Sequence, residues 1–220
     1  MSLCKKKNEK EASGEAENFS GRRKNEGFSM KAAVNTITTL AEGKFLRMEL
    51  VGFTDERGRK RSWEAVSRVR TEGAALIVPR IVPDDLYVLV RQFRAPTGKY
   101  VIEFPAGLIE SGEGADATAV RELYEETGYE GRVVRTFAPG SSSPGLSGET
   151  VTLVVMEIDG ERYRGAPPVA HPEDSESIEV FTVPAEDMEK FLSSRRALGD
   201  GIDAKIQAFL LGMRFSISGK

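Results

Sequence analysis

The chain has few of the residues on which several common kinds of site depend. It contains one cysteine, Cys4, and one histidine, His171, among 220 residues. A lone cysteine in a polar segment excludes a disulfide framework, and a lone histidine argues against His-rich zinc sites and His-based nucleophile triads. No apolar run approaches the roughly 18 residues that a membrane span needs, and the N-terminus has no hydrophobic signal segment. We therefore expect a cytoplasmic protein without membrane contact.

The charge balance argues against one large class of partners, the nucleic acids. The formal net charge is -3, with 40% hydrophobic and 30% charged residues. Such a chain has no basic field that would attract nucleic acid, so we expect no nucleic-acid partner. The length and composition are those of an ordinary globular protein with one or at most two domains.

The chain divides into three parts by composition. Residues 1–29 are polar and have almost no aliphatic side chains, which predicts a disordered tail. Residues 30–72 predict an N-terminal β extension, in which runs at 44–55 and 61–70 form a hairpin and order begins near Thr36. Residues 73–215 alternate strand-like runs with helices predicted at 114–127, 185–193 and 203–213. This order indicates an α/β fold with a mixed sheet and helices on its faces.

The helix predicted at 114–127 has two different faces. At about 100° per residue, three carboxylates lie within one turn on one side: Glu122, Glu125 and Glu126. The opposite side carries residues that we expect to be buried, namely Val120, Leu123, Tyr124 and Thr127. Neighbouring like charges destabilise a helix, whereas hard divalent cations prefer carboxylate oxygens. A solvated acidic surface and a metal site both remain open from this pattern alone.

The wider spacing resembles a known family. Gly107, five residues, Glu113, seven residues and then the run RELYEETGY at 121–129 match every fixed position of the Nudix box. The resemblance implies an α/β/α sandwich, with 73–215 as the Nudix domain. It also implies hydrolysis, dependent on Mg²⁺ or Mn²⁺, of a nucleoside diphosphate linked to another group.

The same resemblance implies roles for individual residues. It makes Glu122, Glu125 and Glu126 metal ligands together with Ala106, and it pairs Arg121 with Glu113. The catalytic set implied is Arg121, Glu122, Glu126 and Glu176. Glu176 matches the loop glutamate that acts as general base in relatives, and Glu149 is the second candidate for that role.

Outside the box, residues from about 42 to 210 look most like the ADP-ribose and ADP-sugar pyrophosphatases of this superfamily. The similarity lies in RSWEAVSR, LVRQFRAPTGKYVIEFPAGLIE and SSPGLSGET, and Pro144 falls 15 residues after Tyr129. This branch implies cleavage of ADP-ribose to AMP and ribose 5-phosphate. The alternatives are other ADP-sugars, GDP-mannose, NADH, an oxidised nucleotide, or a regulator that binds ADP-ribose without cleaving it.

Under that resemblance, seven residues would contact the substrate: Phe45, Trp63, Glu64, Arg68, Arg94, Ala106 and Leu108. The two aromatic rings would stack on adenine, Glu64 would accept from its amino group, and the arginines would bind diphosphate oxygens. Core packing of Trp63 and surface ion pairs of the arginines are the competing readings. The branch also implies a homodimer in which the N-terminal hairpin brings Phe45, Trp63 and Glu64 to the partner's site.

Overall fold

The computed structural model of the chain describes residues 31–69, 71, 73–171 and 177–217. The tail predicted at 1–29 and the candidate base Glu176 lie outside these residues. No helix in the described ranges is long and apolar enough to cross a membrane.

The N-terminal part is an antiparallel sheet of three strands: β1 Ala33–Glu42, β2 Leu46–Thr54 and β3 Lys60–Arg68. The sequence predicted a β extension over residues 30–72 but located only the β2–β3 hairpin within it, with order beginning near Thr36, so it did not identify β1. All ten residues of β1 are exposed. Because none of its side chains is buried, the strand has no alternation of buried and exposed positions that the sequence could reveal.

The turn between β2 and β3 is organised by Asp55. Its carboxylate accepts hydrogen bonds of 2.9 Å from the backbone N–H groups of Arg57 and Arg59. The side chains of Arg59 and Arg61 donate to the second oxygen at 2.8 and 3.4 Å. The hairpin is therefore closed by one carboxylate surrounded by donors.

A second, mixed sheet forms the centre of the molecule. Its strands are β4 Ala74–Val82, β5 Leu86–Arg94, β6 Lys99–Glu103, β7 Ala106–Leu108, β8 Arg132–Thr136, β9 Gly140–Ser141, β10 Thr150–Asp159, β11 Ile178–Pro184 and β12 Gly201–Ile202. The main path runs β12-β6-β5-β4-β10-β8, with β7, β9 and β11 paired beside it. The pairs β4–β10 and β6–β12 are parallel, and the remaining pairs are antiparallel.

Helices cover both faces of this sheet: α1 Ala115–Thr127, α2 Met188–Ala197 and α3 Ala204–Ile217. Successive side chains of a strand point to opposite faces. Accordingly, Ile77 packs in one apolar cluster with Leu123 of α1, whereas Leu76 packs in another with Met188 of α2 and Ile206 of α3. The result is the three-layered α/β/α sandwich that the sequence predicted.

The two faces of α1 are only partly as predicted. Leu123 and Thr127 are buried, but Val120 and Tyr124 are 46% and 43% exposed. Glu126, expected on the open face, is only 4% exposed. The sheet therefore contacts a narrower stripe of the helix than hydrophobicity alone indicated, and that stripe includes a carboxylate.

Candidate active site

The C-terminal end of α1 is fixed by backbone contacts. Gly128 has φ of 74°, a left-handed conformation that favours glycine, and its N–H donates to Tyr124 at 2.7 Å. The N–H of His171 donates to the carbonyl of Glu125 at 2.7 Å, and its ring stacks on Tyr124 with centroids 5.2 Å apart. The chain that leads to residues 172–176 is thus attached to the glutamate-bearing turn.

Arg121 is the centre of a charge network on α1. Its guanidinium donates to both oxygens of Glu113, at 3.2 and 3.1 Å, which is the pair that the sequence predicted. It also donates to Glu122 at 2.7 Å and to Glu125 at 3.0 Å. The hydrogen bonds with Glu113 are the main reason that the pKa of Arg121 is raised, and those from Arg121 lower the pKa of Glu113. Arg121 is therefore one cation shared by three carboxylates.

Strand β7 lies directly against the helix carboxylates. The backbone N–H of Ala106 donates to Glu126 at 3.2 Å. A Cβ at Gly107 would overlap the carboxylate of Glu122, so only glycine leaves that side chain its place. Two glutamates are in this way positioned by the backbone of one short strand.

The residues present suit a hard divalent cation. Glu126 is bonded to the backbone of Ala106, Glu122 lies against Gly107, and Glu125 shares Arg121 with Glu122. Carboxylate and backbone carbonyl oxygens are the donors that Mg²⁺ and Mn²⁺ prefer. In the part of the chain that the structure describes, no three His, Cys, Asp or Glu side chains yet form a cage for an ion. The Arg121 guanidinium lies between Glu122 and Glu125. If Glu122 and Glu125 bind a cation, their side chains would have to turn from Arg121 towards it.

A cleft of about 730 Å³ opens beside these carboxylates. Of the residues predicted to form the site, it brings together eight: Arg68, Arg94, Ala106, Leu108, Arg121, Glu122, Glu125 and Glu149. Glu126 lies behind this wall, bonded to Ala106. The cleft therefore combines a cluster of carboxylates with two separate arginines.

Both arginines of the cleft are held by carboxylates. Arg94 makes a two-pronged pair with Glu103 at 2.7 and 2.8 Å, and Arg68 pairs with Glu149. Ser142 donates to Glu149 at 3.2 Å. The sequence left open whether Arg68 and Arg94 form ion pairs instead of binding substrate. Both ion pairs are present, and they lie within the cleft itself. Glu149, the second candidate base, is one of the carboxylates so engaged.

The predicted adenine contacts are not in this cleft. Trp63 lies on a separate apolar groove of about 480 Å³, and its indole N–H donates to the carbonyl of Gly145 at 3.0 Å. Phe45 is 66% exposed, and neither it nor Glu64 is among the described residues that line the cleft. Trp63 and Arg68 are five positions apart on β3, so they point to opposite faces of the strand.

The sequence reasoning missed several residues of the cleft, of which four are charged: Glu103, Glu110, Asp203 and Lys205. Glu103 could have been found, because it stands at the end of a buried strand, two residues before Pro105. Asp203 and Lys205 come from the start of α3, about 80 residues after the glutamate helix. No local pattern indicates that α3 begins at this edge of the sheet.

Comparisons with known proteins agree with this geometry. Residues 71–199 match the family model described as the NUDIX domain. The chain is 36% identical over 199 residues to the ADP-sugar pyrophosphatase of Mus musculus, covering 86% of this chain and 90% of that protein. It is 31% identical over 189 residues to the ADP-ribose pyrophosphatase of Saccharomyces cerevisiae, covering 80% of each.

A solved structure is also similar. The crystal structure of an ADP compounds hydrolase superposes with a TM-score of 0.64 at 24% identity, covering 86% of this chain and 96% of that one, which supports the fold. Taken with the family match, these findings place the chain in the NUDIX family, and the protein is a Nudix hydrolase.

Proposed function

We propose that this protein hydrolyses the diphosphate of ADP-ribose, giving AMP and ribose 5-phosphate, and that it also accepts other ADP-sugars. The observation that carries the proposal is the set of Arg121-bound glutamates facing a cleft that contains Arg68 and Arg94. The names of the Mus musculus and Saccharomyces cerevisiae relatives support the choice of an ADP-linked substrate.

The first requirement for substrate binding is to offset the negative charge of the diphosphate. A diphosphate diester carries two negative charges, which the glutamates alone would repel. The planar guanidinium groups of Arg68 and Arg94 suit phosphate oxygens, and both line the cleft while paired with a carboxylate. Glu122, Glu125, Glu126 and Ala106 would hold Mg²⁺ or Mn²⁺, which supplies further charge neutralisation and a more acidic water.

The reaction adds water across the P–O–P linkage. The water oxygen forms a bond to one phosphorus, the bond from that phosphorus to the bridging oxygen breaks, and the bridging oxygen leaves with the other phosphate. A general base must take the proton of the water. We assign this role to Glu176, because His171, which precedes it in the chain, is hydrogen-bonded to the backbone of Glu125. Glu149, the other candidate, already forms an ion pair with Arg68.

The N-terminal sheet would complete the site of a second subunit. We propose a homodimer in which Phe45, Trp63 and Glu64 bind adenine in the partner's cleft. The apolar residues left uncovered on this sheet support the proposal, since Val34, Ile37 and Trp63 are 62%, 62% and 55% exposed. Phe45, Trp63 and Glu64 are not among the described residues that line the cleft of their own chain, which agrees with action in the partner.

The direct test is incubation of the purified protein with ADP-ribose and Mg²⁺, read by release of AMP. A chelator should abolish release, and Mg²⁺ or Mn²⁺ should restore it. Glu122→Gln and Glu126→Gln should each lower kcat at least about 100-fold, because each removes one charged oxygen ligand. Glu186→Gln removes an equal charge from an exposed position in the short 3-10 helix before α2 and serves as the matched control. Absence of turnover with both metals would contradict the enzymatic proposal.

A substrate panel separates the alternatives. ADP-ribose, ADP-glucose, GDP-mannose, NADH and an oxidised nucleotide should be compared by kcat/KM, with ADP-ribose expected to rank first. A regulator would bind ADP-ribose in calorimetry without releasing AMP. The cytoplasmic location stays a prediction of the sequence.

A further inference from the structure

The cleft continues beyond the Arg94–Glu103 pair into an adjoining hollow of about 370 Å³. The two spaces share Arg94, Glu103 and Asp203, and Lys205 lines the main cleft beside this junction. This end of the cleft is formed by the ends of β5 and β6 and by the start of α3. Its polar residues have no part in the metal-binding cluster on α1.

The start of α3 is held firmly to the central sheet. Strand β12 pairs in parallel with β6, and the N–H of Asp203 donates to the carbonyl of Ile102 at 3.0 Å. Ile206, the residue after Lys205, is fully buried in the core. Before β12, Asp200 is buried and accepts hydrogen bonds from Arg91 and Arg195. The backbone of Lys205 is thus fixed from both sides.

Lys205 combines this fixed backbone with a side chain that reaches solvent. Its ammonium group lies 2.6 Å from Asp203, and its backbone N–H donates to the other oxygen of that carboxylate at 2.6 Å. The side chain is 49% exposed, so a ligand can reach the ammonium. An exposed ion pair of this kind adds little to stability, which leaves the charge free to serve in binding.

The chemistry of this end suits a sugar phosphate better than a purine. Arg94 and Lys205 donate hydrogen bonds to phosphate oxygens and hydroxyls, while Glu103 and Asp203 accept them from hydroxyls. Of the described residues that line the adjoining hollow, none is aromatic. The exposed ring of Trp63 belongs to the N-terminal sheet, the same sheet that supplies Arg68 to the cleft.

We propose that Lys205 is a substrate-binding residue for the sugar-phosphate half of the substrate, in a subsite completed by Glu103 and Asp203. This inference rests on the proposed function. It adds that the end of the cleft beside Lys205 receives the sugar-phosphate half of the substrate. Lys205 would contact the hydroxyl-bearing group that is released as ribose 5-phosphate, and would make no contact with the adenosine half.

The two reaction products, ribose 5-phosphate and AMP, allow the two ends of the cleft to be tested independently. Calorimetric titrations with Mg²⁺ present should measure the affinities for ribose 5-phosphate and for AMP separately, with wild type and with Lys205→Gln. Loss of one charged hydrogen bond should weaken the affinity for ribose 5-phosphate by about 10- to 100-fold and leave the affinity for AMP within about twofold. Lys205→Arg keeps the charge and should retain most of the ribose 5-phosphate affinity. Lys190→Gln, at an exposed position of α2, is the control for loss of a lysine.

Three results would overturn the inference: equal ribose 5-phosphate affinity in wild type and Lys205→Gln, a loss confined to AMP, or no ribose 5-phosphate binding by the wild type. An unchanged melting temperature of the variant excludes unfolding as the cause of any loss. The proposed function is tested separately by AMP release from wild type, so the two proposals fail on different measurements.

Discussion

Gly107 shows how one residue type can determine the position of a carboxylate, here the proposed metal ligand Glu122. Its missing side chain leaves room for the Glu122 carboxylate. In Gly107→Ala, the new methyl group must displace the flexible end of Glu122, while the backbone of β7 needs no left-handed conformation. We expect the fold to survive and kcat for ADP-ribose to fall about 100-fold, a loss typical of a reacting group misplaced by about 1 Å.

Activity assays and melting curves check this prediction together. Gly165→Ala is the matched control, because a Cβ there meets no atom within 4 Å. That variant should keep wild-type activity and stability. A Gly107→Ala enzyme with wild-type kcat and metal requirement would show that Glu122 does not need its present position.

The two candidate bases make opposite predictions for the pH profile. A base must be deprotonated to act, so activity should fall as pH drops through its pKa in the working enzyme. Glu176→Gln should therefore remove the acid limb of the kcat profile and lower kcat by about 10²- to 10⁴-fold. Glu149→Gln loses its ion pair with Arg68 and should mainly raise KM. If Glu149→Gln alone removes the acid limb, the assignment of Glu176 is wrong.

At the scale of elements, the β2–β3 hairpin depends on one carboxylate. Hydrogen bonds, first from the backbone N–H of Arg59 and then from the side chains of Arg59 and Arg61, lower the pKa of Asp55 from 3.8 to about 2. A lowered pKa adds stability above the unfolded value, so this contribution is complete above pH 3.8 and is lost as pH falls through about 2. Asp55→Asn should lower the melting temperature at neutral pH, and the difference from wild type should disappear across that window.

Thermal melts in steps from pH 7 to pH 2 measure this effect. Glu56→Gln, an exposed carboxylate in the same turn, should leave the melting temperature nearly unchanged throughout. An equal loss of melting temperature in Asp55→Asn at pH 7 and pH 2 would indicate a packing defect instead of a charge effect.

At the scale of the whole molecule, the N-terminal sheet has apolar side chains that its own chain leaves uncovered. Ile37 is 62% exposed on β1, a strand exposed along its whole length. If this sheet packs on a second copy, Ile37→Asp places an unpaired charge in the contact and should shift the protein from dimer to monomer. Because Trp63 and Phe45 would then be withdrawn from the partner's cleft, KM for ADP-ribose should rise.

Light scattering after size-exclusion chromatography gives the oligomeric state directly. Thr38→Asp adds the same charge to the opposite face of β1, since adjacent strand residues point in opposite directions, and it is the matched control. A monomeric wild type with full activity would exclude the assignment of Phe45, Trp63 and Glu64 to a partner's site.

Features of this protein that produce a local sequence pattern could be predicted, and features that produce none could not. Sequence reasoning identified the helix that bears Glu122, Glu125 and Glu126 from spacing within one segment, and the resemblance to the Nudix box implied the pairing of Arg121 with Glu113. It missed β1, whose exposed residues produce no burial periodicity. It also expected Val120 and Tyr124 to be buried, since hydrophobicity does not reveal how narrow a stripe the sheet covers.

The sequence by itself determined the family, the layers of the fold and the carboxylate face of α1, because periodicity and the spacing of a loop and helix are short-range properties. Only the tertiary structure decided that Glu126 is buried against Ala106, that Trp63 faces away from the cleft and that Lys205 lies within it. These positions depend on which strand edges meet and on the register of their pairing, and both arise from contacts between residues far apart in the chain.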